Sequence, residues 1–145
     1  MINFLKNIKE KRNKAGFLMV EVIVAISIIT ASVLSAMAVA QKAVSISRQS
    51  VHSAQAAFLL EEGSENARIS RDNAWANVAS INTTETIGIF TRTVVASSVL
   101  RNVTTGAIGS GVSDANTKLI TVTVSWKEGA TTLSKTLPFY LVNIF

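Results

Sequence analysis

Lys14-Ala15-Gly16-Phe17-Leu18-Met19-Val20-Glu21 opens an apolar run that continues to Ala40. Within the 24 residues from Phe17 to Ala40, Glu21 is the one charged side chain. At 1.5 Å rise per residue such a helix spans roughly 36 Å, against a hydrocarbon core of about 30 Å, so the run is long enough to cross a membrane. A carboxylate inside that span costs on the order of 2.5–3.5 kcal/mol even on the mild insertion scale, and such groups usually have a functional partner. A glycine, an aromatic residue and an acid five positions beyond the glycine therefore decide how the rest of the chain is read.

Upstream of Phe17, Lys6, Lys9, Lys11, Arg12 and Lys14 stand against Glu10, a local balance of +4 out of +5 for the whole chain. The basicity thus sits beside the apolar run, where it acts as a topology signal holding the N-terminus in the cytoplasm. The remainder is close to neutral, which argues against a nucleic-acid partner. At 145 residues there is room for one domain plus a spanning helix. The absence of cysteine removes disulfides, thiolate metal sites and cysteine nucleophiles together.

A secretory signal would carry an apolar region of about 7–15 residues and be cut after it, at a small-x-small site. Here the run is longer and begins at the glycine. An ordinary signal anchor accounts for the length and gives no reason for Glu21. The block from Lys14 to Ala40 resembles the processing and assembly signal of type IV pilin-like proteins, which accounts for both.

That resemblance implies a prepilin peptidase cutting between Gly16 and Phe17, where a side chain on residue 16 would obstruct the extended, close-held backbone. It further implies N-methylation of Phe17, and an ion pair between the Phe17 ammonium and Glu21 of the same or a neighbouring subunit. The implied partners are the peptidase, other pilin or pseudopilin subunits and an inner-membrane assembly platform. The implied location is a single pass through the inner membrane with the head outside, then a pilus or pseudopilus.

No proline or glycine interrupts Phe17 to Glu62, so the helix is expected to continue. Beyond Ala40 the pattern turns amphipathic. Val44, Val51, Ala54 and Phe58 form an apolar stripe that drifts to Ala57, Leu60 and Ala67, leaving Lys42, Arg48 and Gln49 for solvent. The passage Phe58-Leu59-Leu60-Glu61-Glu62-Gly63-Ser64-Glu65, followed by Arg71-Asp72 and Trp75, resembles the helix-end segment of minor pilins of the V type and minor pseudopilins of the I type. Glu65 with Arg68, and Arg68 with Asp72, have helical pair spacing. Trp75 is expected to pack the helix terminus onto the head, and Trp126 to lie in the head's packed face.

The C-terminal half is strand-like. Thr86 to Val99 predicts one or two strands, and Asn102 to Asn116, with three glycines, a flexible loop. Leu119 to Trp126 alternates, with Ile120, Val122, Val124 and Trp126 on one face, as a half-buried antiparallel strand requires. Residues 127–130 turn the chain, and Thr132 to Leu141 returns with Leu133, Leu137 and Phe139 inward. Pro138 places that last strand at an edge.

The organisation expected is α+β and pilin-like: a leader at 1–16 that is removed, a transmembrane and filament-core helix at 17–40, the amphipathic half of the same helix at 41–75, and a small antiparallel sheet head at 76–145. No catalytic constellation accompanies it. His52 is a lone histidine, Glu61, Glu62 and Glu65 are an acidic helix face without histidine, and Gly109-Ser110-Gly111 fits neither a phosphate loop nor a nucleophile elbow. No enzyme, metal or cofactor is therefore expected. The reading is a structural filament subunit, with an uncleaved, signal-anchored extracytoplasmic binding or adhesion protein as the alternative.

Overall fold

The computed structural model describes residues 17–144 in full and 2–16 by backbone alone, so Lys6, Lys9, Lys11, Arg12, Lys14 and Gly16 lie outside the fully described residues. The elements in chain order are α1 (Ile2–Asn73), α2 (Trp75–Ala79), β1 (Asn82–Ile87), β2 (Phe90–Arg101), β3 (Val112–Glu128) and β4 (Thr131–Val142). The class is α+β, and the chain divides into two compact units, residues 1–48 and 49–145.

In the first unit, every described residue from Phe17 to Arg48 is exposed. The apolar part of α1 that begins at Phe17 is long and apolar enough to cross a membrane. Its hydroxyls are satisfied within the helix. Ser27, Thr30, Ser32 and Ser35 each donate to the carbonyl four residues back, at 2.7–2.8 Å. Those internal bonds leave the apolar surface without a stranded donor, as a lipid surrounding demands.

In the second unit, the strands form one antiparallel meander, β1-β2-β3-β4. Two-residue loops join β1 to β2 and β3 to β4, each opening on a glycine at φ 60°, Gly88 and Gly129. Glycine first is the preference of such tight hairpins, because the position needs positive φ. The C-terminal turns of α1 cover one face of the sheet. Ala56, Leu60 and Ala67 share one buried cluster with Phe90, Val94, Ile120, Val122, Val124 and Trp126, which also takes in Val78 and Leu141. The alternation expected of β3 is present, and Pro138 does lie on an edge strand.

Four local expectations change. The helix face on the sheet is built from Ala56, Leu60, Gly63, Ser64 and Ala67, so that of the expected stripe Leu60 and Ala67 are buried, whereas Val44, Val51 and Phe58 are 60%, 54% and 71% exposed. Small residues win that face because they let the helix axis approach the sheet, which bulk would prevent. Residues 112–116 belong to β3 rather than to a loop, which is confined to 102–111. Asp72 pairs with Arg71 and not with Arg68. Leu137 stays 38% exposed on its edge strand. In addition, α1 ends at Asn73, where Ala74 turns extended, and Trp75 begins a separate helical turn.

Candidate functional site

Phe17 and Glu21 sit one helical turn apart on α1, and both are exposed, Phe17 to 74%. Among the described residues no side chain pairs with the Glu21 carboxylate. Around it stand Leu18, Met19, Val20, Val22, Ile23 and Val24, each at least half exposed. The arrangement is one uncompensated acid in an apolar sleeve whose other polar groups are internally bonded. Such a surface is stable when apolar matter surrounds it and a cation meets the acid.

In the second unit, charged side chains join the apolar core in coupling helix to sheet. Arg92 on β2, only 3% exposed, reaches Glu62 of α1 at 3.0 Å and Glu85 of β1 at 2.7 Å, and donates to the Leu59 carbonyl at 3.0 Å. Burial works against its charge, but the hydrogen bonds and charges of Glu62 and Glu85 outweigh it and raise the guanidinium's pKa above the usual value. Gly63 makes this approach possible: a β-carbon there would meet Val122 Cγ1 at 2.8 Å and Arg92 Cδ at 3.2 Å.

Toward the Gln49 end of the unit, His52 Nδ1 contacts Glu128 Oε1, and the imidazole stands edge-on to Phe90. The Lys135 ammonium donates to the Ser53 carbonyl at 3.1 Å. At the other end, Trp75 packs against the core and its Nε1 donates to the Ala115 carbonyl at 3.0 Å. Trp126 is buried in the core, its Nε1 without a hydrogen-bond partner. Arg68 pairs with Glu65 and lies over the Phe139 ring.

Arg101 organises the 102–111 loop. Its Nε donates to Asp114 Oδ2 at 2.7 Å, a second nitrogen to the Gly106 carbonyl at 2.8 Å, and a third to Thr117 Oγ1 at 3.1 Å. The Arg101 hydrogen bond first, then the Thr117 hydroxyl and the Asn116 backbone N–H, hold Asp114 down to a pKa of about 2. The Asn102 carboxamide accepts from the N–H groups of Thr104 and Thr105, folding the loop back on itself. Sequence alone showed the glycines here and not the arginine that stitches them.

A groove opens on the surface of this unit. Phe58 and Leu59 of α1 form one wall, Ile87, Ile89 and Phe90 of the first hairpin the other, around a volume of ≈ 370 Å³ with Glu62 at its rim. Phe58 is 71% and Ile89 55% exposed. A second depression, ≈ 330 Å³, lies between α1 and β1–β2 with Arg92 and Glu85 in its wall, where both are already committed to each other. Among the described residues no group of three or more histidine, cysteine, aspartate or glutamate side chains is placed to hold a metal ion.

Comparison with protein-family models, with curated proteins and with solved structures finds no match.

Proposed function

We propose that this chain is a structural subunit, a minor pilin or pseudopilin, of a type IV pilus or a type II secretion-like filament. In this reading a prepilin peptidase removes residues 1–16, and the subunit enters the filament through the helix that then begins at Phe17. The observation that carries it is Glu21: an exposed acid, without a partner among the described residues, one turn beyond the Gly16–Phe17 bond in a membrane-length apolar helix. Cleavage would place a new ammonium on Phe17 within reach of Glu21 of the same or an adjoining subunit. In an apolar surrounding, leaving one member of such a pair uncompensated costs about 3–5 kcal/mol, enough to favour the one register that pairs every acid.

Before assembly the same helix would anchor the chain by a single pass in the inner membrane, with the basic leader cytoplasmic and the sheet outside. The head's charged ties between helix and sheet and their close contact suit a rigid carrier, and the reading assigns it no catalytic role and no cofactor. Its partners would be the peptidase, the assembly platform and other subunits.

The intact mass of the membrane-extracted protein, with and without a prepilin peptidase, tests this reading. A chain beginning at Phe17, one methyl heavier, and lost without the peptidase is the expected result. A chain still beginning at Met1 in both strains overturns it and leaves an anchored extracytoplasmic binding domain.

A further inference from the structure

The sheet ends on two edge strands, β1 and β4, and the two edges are finished differently. In a two-residue hairpin the closing pair is hydrogen bonded, so Ile87–Phe90, Glu85–Arg92 and Thr83–Val94 carry the β1–β2 ladder. The ladder continues where the Ala96 N–H donates to the Ile81 carbonyl at 2.9 Å. The alternate residues Asn82, Thr84 and Thr86 therefore turn their N–H and C=O groups outward, where the sheet has no further strand. The same parity on β4 puts Pro138 at an outward position, which removes a donor from that edge. β4 is also bridged to α1, by the Lys135 ammonium on the Ser53 carbonyl and by Arg68 over the Phe139 ring. β1 has no proline, lysine or bulge, the usual guards of an edge, and its residues from Asn82 to Thr86 are all exposed.

Beside this open edge lies the ≈ 330 Å³ depression lined by Gly63, Ala67 and Ser70 of α1 and by Thr83 and Glu85 of β1. Small residues on the helix side leave space there for side chains of an added strand. Its charge is one-sided toward solvent. Arg92 is 3% exposed, whereas its partners Glu62 and Glu85 are 57% and 50% exposed, and two carboxylates against one guanidinium leave a net negative charge.

We propose that β1 receives an extended segment of a partner protein as a fifth, antiparallel strand, with small side chains over the depression and a lysine or arginine opposite Glu85. Main-chain bonds to Asn82, Thr84 and Thr86 supply the affinity, and the depression with its carboxylates supplies the selectivity. Neither edge of a second copy fits. Its β1 brings no cation, and its β4 brings Pro138 and a lysine already held by Ser53. The contact concerns the sheet unit and does not depend on how residues 1–16 are processed.

The probe is a synthetic heptapeptide, Val-Thr-Lys-Thr-Ala-Thr-Val, whose lysine falls opposite Glu85 and whose alanine falls opposite Thr83. It is added to the full-length, isotope-labelled protein in detergent, and amide exchange is followed by NMR. Near saturation the Asn82, Thr84 and Thr86 amides should exchange about tenfold more slowly, while those of Thr132, Ser134 and Thr136 on β4 stay unchanged. The same peptide with glutamate for lysine should bind several-fold more weakly. Thr84→Pro removes the central outward donor and leaves the Thr83 and Glu85 ladder bonds, so it should abolish the protection in a folded head. If that variant loses β1, Glu85→Gln carries the test instead: it keeps every backbone donor and should narrow the preference for the lysine peptide. No binding at millimolar peptide, protection that survives in folded Thr84→Pro, or protection on β4 instead overturns the proposal. So does protection in the peptide-free protein that rises with its own concentration, since a second copy would then occupy the edge.

Discussion

Gly63 of α1 and Val122 of β3 are in contact so close that a β-carbon on the glycine would stand 2.8 Å from Val122 Cγ1. Val122 is fully buried and cannot swing away, so the helix would have to lift. Gly63→Ala gains about 1 kcal/mol in helix propensity, whereas overpacking a closed core costs about 1–3 kcal/mol. A net loss of about 1 kcal/mol is expected, seen as a lower thermal midpoint of the full-length protein in detergent. A midpoint that rises would mean the helix face is not held against the sheet at this distance.

Arg92 ties three elements at once, and its stem fills space beside Gly63. Its removal strands no carboxylate in the interior, because Glu62 and Glu85 are 57% and 50% exposed and rehydrate. Arg92→Ala is therefore expected to cost about 2 kcal/mol, less than the breaking of a fully buried pair, from lost stem packing and charged hydrogen bonds. Arg92→Met keeps most of the packing and should recover part of the loss. Denaturant unfolding of the three proteins separates the two contributions.

Much of this architecture was legible in the sequence, for a physical reason that also marks where legibility stops. A strand with one face buried must alternate, so Ile120, Val122, Val124 and Trp126 announced their face, and Pro138 its edge. The helix gave the opposite impression. Hydropathy selects Val51, Ala54 and Phe58 as well as Leu60 and Ala67, and only the last two are buried; closeness of approach adds Ala56, Gly63 and Ser64, whose smallness carries little hydrophobic signal. The loop after β2 looked flexible because composition shows glycines, whereas its order comes from Arg101 reaching Asp114 thirteen residues away. Glu21 was legible outright, since a charge in a membrane-length run has no compositional disguise.

Asp114 gives the fold a pH dependence of known sign. Its folded pKa is about 2, below its ordinary 3.8, so it contributes stability that is fully present above about pH 4 and is lost as pH falls toward 2. Asp114→Asn should be less stable than the parent at neutral pH and should approach it as the pH is lowered through that window. Thermal midpoints from pH 7 to pH 2 check this. Parallel curves for the two proteins would mean that Arg101 does not hold the carboxylate in solution.

Glu21 separates the roles of anchor and filament subunit. Glu21→Gln removes the charge with little change in volume, and it lowers the cost of placing the helix in lipid, so insertion and cleavage at Gly16–Phe17 should proceed as in the parent. If the chain is the filament subunit proposed above, assembly should fail, because a Phe17 ammonium of the adjoining copy would then enter an apolar surrounding without its counter-ion, at a cost of about 3–5 kcal/mol. The variant should therefore accumulate in the membrane, cleaved and folded, and be missing from sheared filaments. Glu21→Asp retains the charge on a shorter stem and should assemble at reduced yield. Glu21→Gln appearing in filaments at parental yield would show that the acid sets no register, and the reason for its place in the apolar helix would have to be sought in the membrane rather than in the filament.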